Sequence, residues 1–351
     1  MLYHYASLDY LKGLHYLVGQ LLDGVVDPLL NLAKQQRRDS ALFNSRWGSR
    51  DTSGNWSNNA WPILKDLQKS LSKNIAIRSF DRYGITGVSE CLRGVDQFSM
   101  QWATELEEQQ YQEFTQLISG YARRIDDTLE DRDNSRWDDY GFAYDFGSFI
   151  AECPRIPEFR IREDIVGETG KVPPRTGVYV SQDDSNAALQ FAWAGSSGCR
   201  LRNSTTFNKV GLAALAMAGR RDLWLDQDKM FRFATTSLYA SLFHTDLVFG
   251  NEVFKDLAPS AVARKAFIDR PCKWQFVEII SDDFEDSAII WNGGSAVASS
   301  VRLTGGDVCS IAGFYFSPSS LTSHRYFEKG DIMPKFDSGY GMTIWQWDTN
   351  Q

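Results

Sequence analysis

The spacing of apolar residues changes along this chain, and that change constrains its fold more than any other feature. In the front half Leu8, Leu11, Leu14, Val18, Leu21 and Val25 recur in steps of three and four. That period lines one face of a helix, and it is expected to weaken near Asp27-Pro28. The polar stretch 44–59, with Trp47 and Trp56, reads as a loop. Asn59 is then placed to cap a second helix with Pro62 in its first turn, followed by Leu64, Leu67, Leu71 and Ile75. A longer helix is predicted over about 97–130, with Phe98, Trp102, Leu106, Phe114, Leu117, Tyr121 and Ile125 inward. Such helices joined by loops suggest an antiparallel bundle.

Near Cys153-Pro154 the chemistry turns to prolines (Pro154, Pro157, Pro173, Pro174) and to alternation, as in Phe159/Ile161 and Val178/Val180. Helices are predicted again near 207–217 and 230–243. Strands are predicted at 273–280, 288–291, 297–303, 313–317 and 342–347. The expected class is α+β: a helical bundle-like region, 1–152, packed on a mixed domain, 153–351, with antiparallel strands and two or more helices. One internal echo stands out. Thr176-Gly177-Val178-Tyr179-Val180-Ser181 matches Ala312-Gly313-Phe314-Tyr315-Phe316-Ser317, and Phe191 matches Phe327 at the same offset, 313 − 177 = 136. This suggests a duplicated strand-loop-strand unit, about 172–195 and 309–334.

The formal net charge is −8, from 37 basic and 45 acidic residues. A surface of that sign opposes binding to nucleic acid or anionic lipid and suits a basic protein partner. No run of ~18–20 apolar residues suggests a membrane span, and the N-terminal pattern is broken by Asp9 and Lys12, unlike a secretory leader. A cytoplasmic protein is expected. The five cysteines lie at least 37 positions apart, so they form neither a CxxC motif nor a disulfide ladder.

Enzyme motifs approach completion and fail. Gly167-Glu168-Thr169-Gly170-Lys171 has Ile165 where a phosphate-binding loop needs glycine and Val172 where it needs Ser or Thr. Gly339-Tyr340-Gly341 meets Ile344 at the third glycine of a dinucleotide fingerprint, and Gly195-Ser196-Ser197-Gly198 is not a nucleophile elbow. His4, His15, His244 and His324 have no metal-ligand spacing. No catalytic residue, cofactor or metal is expected. The most charged stretch, 126–139, holds Asp126, Asp127, Glu130, Asp131, Asp133, Asp138 and Asp139 around Trp137. It is either a solvated helix end or a docking surface for a basic partner with Trp137 as its aromatic anchor.

Two further blocks carry a resemblance. Thr206-Phe207-Asn208-Lys209-Val210-Gly211-Leu212 with Gly219-Arg220-Arg221-Asp222-Leu223-Trp224, and Gly330-Asp331-Ile332-Met333-Pro334 before Trp345-Gln346-Trp347, are similar to stretches of immunity proteins of bacterial polymorphic toxin systems. The families in question are those numbered seventy-one and seventy-two. With the Gly177 strand the likeness covers about residues 153–347. It implies a non-catalytic protein that binds and blocks one cognate toxin, often one delivered by contact-dependent or type VI secretion. It also implies that Gly177, Tyr179, Phe207, Asn208, Gly211, Gly313, Gly330, Asp331, Pro334, Trp345 and Trp347 are scaffold. The alternative is a hydrolase or carbohydrate-active enzyme built on His244, Asp246 or the pair Asp282 and Asp283.

Overall fold

The computed structural model describes residues 1–129, 137–153, 155–194, 199–286, 302–309, 313–316, 325–335 and 344–347. A short helix α1 (Leu2–Tyr5) precedes α2 (Leu8–Gln20), which Ser7 caps by accepting the Tyr10 amide at 3.1 Å. The predicted stripe is buried from Leu11 onward, with Leu14, Val18, Leu21 and Val25, while Leu8 is half-buried. The helix does not stop at Asp27-Pro28. Residues Leu21–Val26 wind more widely, as a π-helix, and α3 (Asp27–Gln35) continues with Pro28 in its first turn. The wider turns absorb the donor that proline lacks.

The next helix starts earlier than its sequence suggests. α4 (Ser53–Arg78) is capped by Thr52, whose hydroxyl accepts the Asn55 amide at 3.1 Å. Asp39 accepts the Ser53 and Gly54 amides at 2.6 and 3.0 Å. These acceptors satisfy the free donors of a polar first turn, so the expected loop ends at residue 52 and Trp56 lies buried inside the helix. After α5 (Val88–Val95) comes α6 (Glu105–Leu129), which begins at 105 rather than 97. The reason is a capping box: Thr104 donates its amide to Glu107 (2.7 Å), and the Glu107 amide reaches the Thr104 hydroxyl (3.4 Å). Helix α7 (Asp139–Glu152) follows.

Among the described residues the strands form two four-stranded sheets and one pair. The first sheet runs β1 (Arg155–Glu168), β6 (Lys273–Asp286), β2 (Gly177–Ser181), β3 (Gln190–Ala192). The second runs β7 (Arg302–Thr304), β10 (Ile344–Trp347), β8 (Gly313–Phe316), β9 (Arg325–Phe327). β4 (Ser204–Phe207) pairs with β5 (Phe267–Arg270). Between those two strands lie α8 (Lys209–Ala218), α9 (Gln227–Thr236) and α10 (Ala258–Ala263), around a core of Phe207, Trp224, Met230, Phe233 and Phe243. The strand expected at 288–291 and most of that at 297–303 lie outside the described residues.

The chain divides into two compact units, but not at 152/153. One joins Met1–Gly147 to Phe159–Ile279; the other joins Ser148–Glu158 to Ile280–Gln351. The first sheet belongs mainly with the front helices because α1 inserts the Tyr3 side chain into it. Tyr3 donates to the Val277 carbonyl at 2.5 Å and its ring meets Phe159 and Phe191. A change of hydrophobic period marks local structure, not membership of a core.

The two four-stranded sheets follow one plan, strand for strand. Val180 pairs with Gln275 in the first, and Phe316, at the echo offset, pairs with Gln346 in the second. Tyr179 opposes Phe276 as Tyr315 opposes Trp347. Left-handed turns follow β1 and β7 at Gly170 (φ 83°) and Gly306 (φ 101°), again 136 residues apart. The Gly170 amide bonds the Leu201 carbonyl at 2.7 Å, and the Gly306 amide bonds the Met333 carbonyl at 2.7 Å. In return the Leu201 amide reaches Lys171 at 2.8 Å and the Met333 amide reaches Asp307 at 2.9 Å. The indoles of Trp274 and Trp345 each donate to the carbonyl one residue further on, Arg202 at 3.1 Å and Pro334 at 2.8 Å. The hairpins differ by one position: Gly177 opposes Ala192, whereas Gly313 opposes Phe327.

Candidate functional site

The described members of the acidic run are structural. Asp126 accepts the Thr86 amide at 2.7 Å and the Thr86 hydroxyl at 2.8 Å, tying α6 to the segment before α5. Asp127 is drawn inward, and burial pushes its carboxyl up to about 6. Asp138 begins α7 by accepting the Gly141 amide at 2.7 Å, and burial also raises its pKa. Asp139 receives Arg220 at 2.6 Å and the Trp224 indole at 2.7 Å, fastening α7 to the α8–α9 connection. Trp137 is 5% exposed; its indole donates to Thr128 and its ring stacks on Tyr5 and Phe142. It is an interior residue, not an exposed anchor. Glu130, Asp131 and Asp133 lie outside the described residues.

The residues assigned to scaffold have concrete jobs. Asn208 caps α8, accepting the Val210 and Gly211 amides at 2.8 and 3.1 Å while donating to the Lys265 and Phe267 carbonyls. Gly211 lets the helix approach the Ala266 carbonyl closer than any Cβ would allow, and Phe207 is buried beside it. Gly177 has φ 151°, and a Cβ there would meet the Tyr3 hydroxyl at 2.5 Å. Tyr179 is buried, donating to the Arg175 carbonyl at 2.6 Å. Gly330 turns the chain at φ 106° before Asp331, whose carboxylate accepts the Glu328 amide at 2.8 Å. Trp345 is buried against Phe327, Tyr315 and Met333, and Pro334 supplies its indole acceptor. Gly313 and Trp347 are known here by backbone pairing, opposite Phe327 and Tyr315.

Of the residues named for hydrolysis, His244 and Asp246 have described side chains. His244 contacts the Ser241 carbonyl through Nδ1. Asp246 accepts the Val248 amide at 3.1 Å and pairs with Arg264 at 3.1 Å, so it holds local structure. The side chains of Asp282 and Asp283, and all of His324, lie outside the described residues. Among the described residues no group of three His, Cys, Asp or Glu could hold a metal ion, and no helix is long and apolar enough to cross a membrane.

One surface was missed. Residues 238–257, read in part as a continuation of a helix, form short 3-10 turns at Ala240–Leu242, Leu247–Gly250 and Glu252–Leu257. Phe243, Val248 and Phe249 point into the core around α9. Leu238, Leu247 and Val253 point out, at 93%, 86% and 76% exposure. Leu242, Phe254 and Leu257 are exposed as well. Asp246, Glu252 and Asp256 outnumber Lys255 along the same stretch. The signal for it in the sequence is a run of apolar residues that loses the helical period after Thr236 while remaining too irregular for a strand. Grouped exposed apolar side chains mark contact surfaces, since a monomer gains nothing by hydrating them.

No family model, curated protein or solved structure matches the chain.

Proposed function

We propose that this chain is an immunity protein: it binds a cognate antibacterial toxin in the cytoplasm and neutralises it by stoichiometric occlusion, without catalysis. The observation that carries this reading is the exposed apolar face of 238–257. It is irregular in backbone, on a molecule of net charge −8. Such a face suits a toxin whose contact surface is apolar at the centre and basic at the rim. A tight complex of this kind buries ~1,600 Å², which requires neighbouring surface to join it. The resemblance read from the sequence of the Asn208 and Gly330 blocks supports an antibacterial toxin as the partner, and delivery by contact-dependent or type VI secretion fits that class.

The test is co-expression with whichever toxin domain a neighbouring gene encodes. The expected result is a one-to-one complex and protected cells. A triple variant, Leu238→Asp, Leu247→Asp and Val253→Asp, should keep its melting temperature and lose both. A complex and protection unchanged by the triple variant would remove this face from the interface, and a toxin inactivated at substoichiometric protein would overturn occlusion itself.

A further inference from the structure

The first sheet has two edges, and they differ. β3 (Gln190–Ala192) is short and its three residues are buried. β1 (Arg155–Glu168) is 14 residues long, no described strand pairs with its outer side, and most of its side chains are exposed. An open edge of that length presents a row of backbone donors and acceptors that can template a further strand. Its two faces carry different chemistry. Phe159, Ile161 and Ile165 share one face, where Phe159 stacks on Tyr3 and Ile165 packs against the core of Tyr179, Trp274 and Phe276. Phe159 is still 43% exposed and Ile161 52%, so this apolar face continues out to the edge.

The other face carries Arg160, Arg162 and Asp164. Arg162 is satisfied within the chain, donating to Asp164 at 2.8 Å and to Glu278 at 2.9 Å. Arg160 is exposed and forms no ion pair with a described residue. Pro157, which has no N–H to give, and the buried Gly167 bound the segment, and Arg162 lies midway between them. Two copies meeting antiparallel along this edge are related by a two-fold axis perpendicular to the sheet, so opposed residues share a face. With the axis at Arg162, Arg160 of each copy opposes Asp164 of the other, and Phe159 opposes Ile165. The two Arg162 side chains that then meet are already neutralised by Asp164 and Glu278. Moving the axis to Ile161 sets Arg160 on Arg162 and Glu158 on Asp164. Moving it to Glu163 keeps an Arg162–Asp164 contact but sets Glu163 on Glu163 and Glu158 on Glu168.

We propose that the open edge of β1 pairs with the same edge of a second copy of this chain, antiparallel about Arg162, so that two four-stranded sheets join into one. The one strand supplies both halves of each complementary contact, which singles out a second copy as the occupant. Pairing of identical edges closes on itself, and the opposite edge is buried, so association stops at two. A single strand edge lies at the small end of specific interfaces, below ~1,200 Å², so the dimer is expected to depend on concentration. This surface is independent of the toxin-facing one.

Sedimentation equilibrium of the full chain should show a monomer–dimer equilibrium. Arg160→Asp sets a carboxylate against Asp164 at both paired positions, and Asp164→Arg sets a guanidinium against Arg160. Each variant alone should dimerise about tenfold more weakly, with a melting temperature close to that of the unaltered chain. An equimolar mixture of the two restores opposite charges at both positions of the mixed pair, so it should associate to within about threefold of the unaltered protein. Only the register centred on Arg162 gives that rescue. In the unaltered chain, amide exchange over residues 158–166 should slow as concentration rises, which reads the edge without any substitution. A monomer at every concentration up to about 0.1 mM, or exchange in β1 indifferent to concentration, would overturn the proposal. So would a dimer untouched by both reversals, or a mixture of folded variants no tighter than its parts.

Discussion

Asp127 and Glu107 show how differently two carboxylates of one helix are held. Burial raises the Asp127 carboxyl to about 6, and its Arg123 pair at 3.3 Å offsets only part of that, because the same guanidinium also serves Asp145 at 2.9 Å. A folded-state value above the ordinary 3.8 means the folded chain holds that proton more tightly. The associated stability is therefore complete below about pH 4 and is lost as pH rises through about 6. Asp127→Asn should raise unfolding free energy at pH 7.5 by about 1–2 kcal/mol, allowing for solvent screening, and leave it nearly unchanged at pH 4. Denaturant titrations at the two pH values check this, and an equal gain at both would mean burial is not the cause. Glu107 behaves oppositely. The Arg38 fork, at 2.6 and 3.1 Å, lowers its carboxyl to about 2, so its contribution is present above about 4.5 and is lost as pH falls toward 2. Asp126 belongs to the same scale. Since it accepts two bonds from Thr86, Asp126→Ala should cost about 1–2 kcal/mol, measured by thermal melting. A dispensable surface acid would cost nothing.

Among the secondary-structure elements, α8 depends on a single side chain at its start. Asn208 accepts two first-turn amides and also donates to two carbonyls of the chain entering β5. Asn208→Ala should therefore cost at least the ~1 kcal/mol typical of a lost cap, and Asn208→Asp less, because it keeps the acceptors. The relative unfolding midpoints of the two variants separate capping from the bonds to the β5 strand. The matched strands β6 and β10 make a parallel case. Trp274 and Trp345 are both fully buried and both bond a carbonyl in the same relative position. Truncating either to alanine should cost ~3–5 kcal/mol, read from denaturant unfolding. A large loss in one and none in the other would show that the shared plan does not extend to energetics.

On the scale of the whole molecule, charge and apolar surface do separate work in the proposed complex. A net charge of −8 acts at a distance, so association with a basic toxin should slow as ionic strength rises. The exposed leucines act only on contact. Leu247→Asp should therefore speed dissociation far more than it changes association, with an unaltered melting temperature, as stopped-flow and surface-binding kinetics would show. If the association rate alone fell, the segment 238–257 would be a steering surface instead of the buried centre.

The sequence by itself determined the α+β class, the helical front and most strand positions, because these follow from local periodicity and turn residues. It also marked the echo, whose glycines and tyrosines recur at one offset in two sheets with one strand order. Only the tertiary structure decided what those elements belong to. Most of the first sheet shares a unit with the front helices because Tyr3 reaches Val277 from 274 positions away, a bond invisible to any local window. Asp126 and Asp139, at the two ends of the acidic run, turned inward for the same reason: Thr86, Arg220 and Trp224 are remote partners that convert apparent surface charge into braces.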